Sequence, residues 1–180
     1  MSDKTIIVLV GPSGSGKTSI GKLLSKHGIP RLTTTTTRAP RPGEVDGVDY
    51  YFRQFSELEM EEFVEQTVYD GNRYGLTKDE VKEMLEKHDI VHVSLDQNGA
   101  EAMKEVFPKE AFVVFVQIDE EIMIHRMKKR GDSEEEIQDR IKYSRHTDEL
   151  VPPPYTDLIV ENIDMNIAAQ KIIDKVTQTH

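Results

Sequence analysis

Eight residues near the start of the chain carry its most specific chemistry. Gly11-Pro-Ser-Gly-Ser-Gly-Lys-Thr18 fits the phosphate-binding loop pattern, in which two spaced glycines precede a lysine and a hydroxyl residue. Backbone N–H groups of such a loop converge on phosphate oxygens, and the following helix adds positive potential at its N-terminus. Lys17 is spaced to reach the β- and γ-phosphates of a nucleoside triphosphate, and the Thr18 hydroxyl to ligate Mg²⁺. Gly11, Pro12, Ser13, Gly14, Ser15, Gly16, Lys17 and Thr18 are therefore the candidate triphosphate site.

A loop of this kind works only between a strand and a helix. Thr5-Ile-Ile-Val-Leu-Val10 is an unbroken apolar, β-branched run, as a strand buried on both faces requires. Ser19 to Lys26 reads as the helix. Strand and helix signals then alternate, which predicts an α/β chain with a parallel sheet covered on both faces. Core strands are expected at 5–10, 90–95, 111–117 and 157–161, and core helices at 16–26, 97–106, 119–130 and 165–177.

Two segments break this rhythm. Residues 34–86 hold a Pro- and Gly-rich loop, a short strand near Asp49 to Phe52 and an acidic helix near Ser56 to Glu62, and read as an inserted lobe. The run Thr33 to Thr37 favours an extended segment. Residues 131–149 are almost wholly polar, with Ser133 as a helix N-cap and Glu136 three residues on. A helix with so little apolar surface is a candidate lid, since phosphoryl transfer needs water excluded. The expected organisation is one domain: a core of 1–33, 87–130 and 150–180, a lobe of 34–86 and a lid of 131–149.

Composition narrows the function. The chain has 180 residues, 37% hydrophobic and 31% charged, enough for one soluble domain with a real core. No apolar run approaches the length of a membrane helix, and Met1-Ser-Asp-Lys4 is not a signal peptide, so the expectation is cytoplasmic and without a membrane partner. With no cysteine, disulfides and thiolate metal sites are excluded. A formal net charge of −10 argues against nucleic acid as partner, while allowing a local basic cleft for a small anion. The six histidines show no metal-ligand spacing. Composition leaves monomer and homo-oligomer equally open.

A second anion site is foreshadowed by Arg38 and Arg41 on one Pro- and Gly-shaped loop, because guanidinium groups bind phosphate oxygens in pairs. Tyr50 and Tyr74 could each add a hydroxyl donor. Taken alone, two loop arginines are better explained by solubility.

The order of motifs decides the matter. Thr35-Thr-Thr-Arg-Ala-Pro-Arg-Pro-Gly-Glu-Val-Asp-Gly-Val-Asp-Tyr-Tyr-Phe52 resembles the nucleotide-acceptor signature of guanylate kinases. Gly71 to Gly75, Asp96 to Ala100, Arg130-Gly with Glu134-Glu and Arg140, and Tyr155 to Asn162 resemble further motifs of that family, in order. The resemblance implies a kinase of P-loop core, GMP-binding lobe and lid, using ATP and Mg²⁺ and serving purine nucleotide metabolism. It implies that Arg38, Arg41, Tyr50 and Tyr74 hold the acceptor phosphate. It implies that Glu65, Asp96 and Thr34 hold guanine, and that Arg126, Arg130 and Arg140 close over the ATP phosphates. Lys17, Arg38, Arg130 and Arg140 are thus the expected catalytic set.

Chemistry independently favours guanine at Glu65. The guanine Watson–Crick edge offers N1–H and the N2 amino group to a carboxylate, whereas adenine N1 is a lone pair that a carboxylate repels. No general base is required, because the attacking phosphate oxygen is already anionic. Catalysis reduces to positioning and charge neutralisation, ATP + GMP giving ADP + GDP, with dGMP as a further acceptor.

The chain departs from the family pattern at three places. Leu76 stands where a Ser or Thr usually helps hold guanine, with Thr77 next to it as an alternative. Arg73 replaces a tyrosine. Ser94 stands where an aspartate usually organises Mg²⁺, two residues before Asp96. Alternatives to the GMP reading are a different phosphorylated acceptor on the same scaffold and a non-catalytic interaction module.

Overall fold

The computed structural model describes residues 4–12, 14–58, 62–147 and 150–178. Its core is a four-stranded parallel sheet. β1 (Thr5–Val10) pairs with β6 (Ile90–Ser94) on one side and β7 (Ala111–Gln117) on the other, and β8 (Leu158–Glu161) forms the far edge. The period-2 geometry of β1 explains its continuous apolar sequence. Ile6, Val8 and Val10 point into one apolar cluster, and Ile7 and Leu9 into a second on the opposite face. The second cluster is closed by α1 (Lys17–Lys26) and α7 (Met165–Thr177) through Ile20, Leu24, Ala168, Ala169 and Ile172. The first is closed by α3 (Lys78–Lys87) and α4 (Gln97–Val106) through Val81, Leu85, Ala100 and Met103.

The four core strands and helices read from sequence appear at nearly the expected bounds. Residues 34–86 add a second, four-stranded sheet. β2 (Thr35–Thr36) runs parallel to β3 (Tyr51–Phe52) and antiparallel to β5 (Asn72–Thr77), which pairs with β4 (Phe63–Tyr69). The β4–β5 hairpin turns at Asp70-Gly71, both with positive φ (49° and 75°), the two-residue turn whose twist matches a hairpin. α2 (Phe55–Leu58) falls where the acidic helix is expected near 56–62; residues 59–61 lie outside the described residues, and Glu62 is not helical.

α5 (Glu120–Arg130) ends on Gly131, and α6 (Glu134–Thr147) follows. The Ser133 hydroxyl accepts from Glu136 N (3.1 Å) and donates to the Glu136 carboxylate (3.0 Å), which starts α6 as its sequence predicts. The helix is less naked than its composition implies. Ile137 and Ile141 are buried against Ile118, Met123 and Met127, a third and separate apolar cluster. No helix among the described residues is long and apolar enough to cross a membrane.

Candidate active site

The loop between β1 and α1 has the geometry its glycines require. Gly16 has φ 95°, and a Cβ there would lie 2.1 Å from Asn162 Nδ2; one on Gly11 would lie 2.6 Å from the Val116 carbonyl oxygen. Only glycine lets the loop fold this close to β7 and β8. Asn162, just past β8, donates from Nδ2 to the Ser15 carbonyl (2.7 Å) and is buried with it. Arg126 on α5 donates to the Gly14 carbonyl (3.1 Å) and the Asn162 carbonyl (2.7 Å). The loop is therefore held from outside by two side chains. Lys17 opens α1 half-buried, Thr18 follows exposed, and Ser13 lies outside the described residues. The Ser15 hydroxyl is buried without a hydrogen-bond partner.

A cavity of about 270 Å³ beside the loop is lined by Gly14, Met123, Met127 and three arginines, Arg126, Arg130 and Arg140. The arginines named from sequence as lid residues thus meet at one place. Arg130 Nε donates to Asp132 Oδ1 (3.0 Å) in a two-point ion pair, and the Arg140 guanidinium lies 4.9 Å from the Tyr143 ring centre. A neighbouring cavity of about 320 Å³ shares Arg126 as a wall and is completed by Glu121, Ile122, His125 and Ile163.

On the lobe, strand alternation sorts the remaining candidates. Thr36 pairs with Phe52 and Tyr74, and Glu65 with Leu76, so Phe52, Glu65, Tyr74 and Leu76 share one face. Tyr50 joins it: its ring lies 5.8 Å from Phe52 and 6.0 Å from Tyr74. The Arg38 guanidinium sits 5.3 Å from the Tyr50 ring centre, with the Tyr74 side chain beside it. Arg38, Tyr50 and Tyr74 are therefore one cluster. Arg41 is exposed on the adjoining turn, and Thr34 is half-buried immediately before β2.

Glu65 meets Asp96 across the junction of lobe and core. A methyl built on Gly99 would lie 3.4 Å from Glu65 Cγ and 3.2 Å from Asp96 Oδ1. Asp96 caps α4 by accepting from Gly99 N (2.7 Å) through that oxygen. Burial first, and then the Asp96 charge, push the Glu65 carboxyl up to about 7, opposed by a hydrogen bond from the Leu76 backbone. The two carboxyl groups bring hydrogen-bond acceptors together at the junction of lobe and core.

One expectation changes. Thr77 is no substitute for the residue at 76. It lies on the opposite sheet face, and its hydroxyl caps α3 by accepting from Glu80 N (3.1 Å). Leu76 itself is fully buried in the core cluster. Ser94 is exposed at the end of β6, paired with Leu9 of the loop-bearing strand. The opposite lobe face carries a cavity of about 400 Å³ lined by Glu57, Asp79, Glu80 and Glu83 with Arg53, a predominantly acidic wall that disfavours a phosphate. Asn162 and Glu44 were not legible as site residues; isolated, an Asn after a strand and a Glu in a turn look like ordinary loop polarity.

A parallel sheet with helices on both faces and a glycine loop cradled between β1 and α1 defines a P-loop kinase fold. The guanylate kinase family model matches residues 3–179, and the chain belongs to that family. A guanylate kinase of Caldanaerobacter subterraneus subsp. tengcongensis is 39% identical over 174 residues, covering 93% of this chain and 84% of its own. One of Halalkalibacterium halodurans is 34% identical over 182 residues, covering 97% and 88%. Among solved structures, guanylate kinase from Anaplasma phagocytophilum superposes with a TM-score of 0.67 at 22% identity, covering 99% of this chain and 87% of that one.

Proposed function

We propose that the chain catalyses ATP-dependent phosphorylation of GMP to GDP by direct in-line transfer, with the parts divided as follows. The loop 11–18 holds the ATP phosphates, Lys17 neutralises charge on the transferring group, and Arg126, Arg130 and Arg140 enclose it from the lid side. The flat donor base fits the cavity between the Arg126 guanidinium and Ile163. Arg38, Arg41, Tyr50 and Tyr74 hold the acceptor phosphate. Glu65 and Asp96, with Thr34, read guanine. The three-part division into core, lobe and lid follows these roles. dGMP is accepted as well, because the assigned readers address base and phosphate and none addresses the ribose 2′ position.

The observation that carries this reading is Glu65, beside Asp96 of the core, on the same lobe face as the Arg38–Tyr50–Tyr74 cluster. Two acceptors spaced from two arginines and two hydroxyls suit a guanine base joined to one phosphate. The attacking oxygen is anionic, so the protein supplies orientation and charge, and no base.

Mg²⁺ fits the donor set present. Among the described residues no acidic or histidine cluster could hold a metal unaided, and the exposed hydroxyls of Thr18 and Ser94 flank the loop. Mg²⁺ characteristically takes few protein ligands and several phosphate oxygens. When bound it neutralises phosphate charge. These roles accord with a cytoplasmic enzyme acting on small molecules.

A coupled assay with Mg-ATP and GMP, dGMP, AMP, UMP or CMP tests the reading. GMP and dGMP should turn over and the others should not; comparable rates with AMP would overturn the base assignment. K17A should lose about 100-fold or more in kcat, as removal of a transition-state charge partner does, with an unaltered fold by circular dichroism.

A further inference from the structure

Arg38 is held by more than its stacking on Tyr50. Its Nη1 and Nη2 donate to Glu44 Oε1 (2.8 Å) and Oε2 (3.0 Å), and Nη1 also donates to the Ala39 carbonyl (3.0 Å). Glu44 Oε1 accepts in addition from Arg41 N (2.7 Å). Glu44 N donates to the Arg41 carbonyl (3.0 Å), closing a Pro42-Gly43 turn in which Gly43 has φ 87°, as a type II turn requires. One carboxylate thus joins the side chain of the first arginine to the backbone of the second.

A guanidinium has five N–H groups. Glu44 takes one from each terminal nitrogen and Ala39 takes the second of Nη1. Two remain, on Nε and the outer side of Nη2, adjacent and parallel along one edge. That edge matches two oxygens of a phosphate. The rings of Tyr50 and Phe52, 5.3 Å and 5.9 Å from the guanidinium carbon, fix the plane.

We propose that Glu44 is a positioning residue for the acceptor phosphate: it holds the end edge of Arg38 against the Arg41 turn, leaving the Nε–Nη2 edge presented to GMP. This rests on the acceptor site assigned above. The Arg38 ion pair and the Arg41 N–H hold the Glu44 carboxyl at about 2, so it stays ionised throughout the working pH range. Its charge cancels that of Arg38. Selection of the phosphate then depends on donor direction and on Arg41, not on a loose excess of positive charge.

A double-mutant cycle tests this. In E44Q the amide oxygen can keep the Arg41 N–H, but the amide NH₂ faces Nη2 donor to donor and releases the fork. R38A should raise KM for GMP. E44Q should raise it by about tenfold, the usual worth of a charge-assisted two-point pair, and kcat should fall less than KM rises. KM for ATP and inhibition by guanosine, which lacks the phosphate, should stay within about twofold. E44Q should add nothing further in the R38A background. If R38A impairs GMP use and E44Q does not, Glu44 has no positioning role and the acceptor site stands. If R38A has no effect, the acceptor site falls and this proposal with it. Tighter GMP binding by E44Q would make Glu44 a competitor of the phosphate and overturn the proposal. Equal weakening of guanosine, or a full additional loss in R38A, would reduce Glu44 to loop scaffolding and overturn it as well.

Discussion

Glu65 shows how a single carboxyl can couple base recognition to protons. Its folded value near 7 lies above the 4.5 of an unperturbed glutamate, because burial and Asp96 both disfavour the charged form. Between those two values the folded protein binds the proton and the unfolded chain does not. The stabilising effect of that proton is full below 4.5, declines as pH rises, and is gone above 7. Guanine N1–H and its amino group need the ionised form as acceptor, so GMP binding expels the proton. KM for GMP should therefore fall as pH rises from 6 to 8. In E65Q it should be higher, by a factor corresponding to about 1–3 kcal/mol for an unsatisfied buried partner, and should lose this slope. The acceptor phosphate also titrates near pH ~6, but identically for both proteins. Parallel KM–pH profiles would remove Glu65 from the base site. E65Q should also be more stable than the parent at pH 8 and gain little at pH 5, measurable by urea unfolding.

At the scale of elements, legibility followed how local the signal was. β1 and β7 were readable because a strand buried on both faces is a nearly unbroken apolar run, and α4 and α7 have acidic N-caps, Asp96 and Asp164, just ahead of them. β4, β5 and α3 were not resolved, although Asp70-Gly71 between two extended segments is a hairpin signal and Thr77 with Glu80 caps the helix. Within the site, the loop was legible from spacing, and both arginine sets only through the resemblance to guanylate kinases. The supports were not: Asn162 reaches Ser15 across 147 residues of sequence, a contact no local pattern encodes. α6 is the instructive intermediate. Its sequence is almost wholly polar, but two isoleucines a turn apart, Ile137 and Ile141, suffice to dock it on α5, assisted by the Arg145–Glu120 ion pair (2.5 Å). That cluster shares no residue with the two main cores, so loosening it should stay local. I141A should speed amide exchange across 134–147 and raise KM for ATP, while exchange in β1 and β7 is unaltered. Uniformly faster exchange would show that the lid and core unfold as one unit.

The whole molecule sets a different problem, since a chain of formal charge −10 must hold two anionic nucleotides at once. It does so by segregation. Arg126, Arg130 and Arg140 gather beside Gly14, Arg38 and Arg41 on the lobe turn, and the carboxylates of Glu57, Asp79, Glu80 and Glu83 crowd the lobe face turned away from Tyr50 and Tyr74. The two anion sites lie on parts joined differently to the sheet: α6 through a small apolar cluster, the lobe through Leu76, Val64 and the Glu65–Asp96 contact. The Glu65–Asp96 contact is repulsive when both ionise, so at neutral pH and above it opposes closure of the lobe until donors from guanine enter between them. The triphosphate does the same for the lid, giving three arginines a common partner. Nucleotide binding is thus expected to draw both parts onto a rigid core. Hydrogen exchange with and without a bisubstrate analogue joining adenosine and guanosine through phosphates measures this directly. Protection should rise in 34–58, 62–69 and 134–147, with β1 and β7 already protected and unchanged. ATP alone should protect 134–147, and GMP alone the lobe, with the lobe response shrinking in E65Q. Equal protection of both segments by either nucleotide alone would mean that lid and lobe close together, contrary to their separate attachments. No change in either would mean that the free protein already has the reacting geometry.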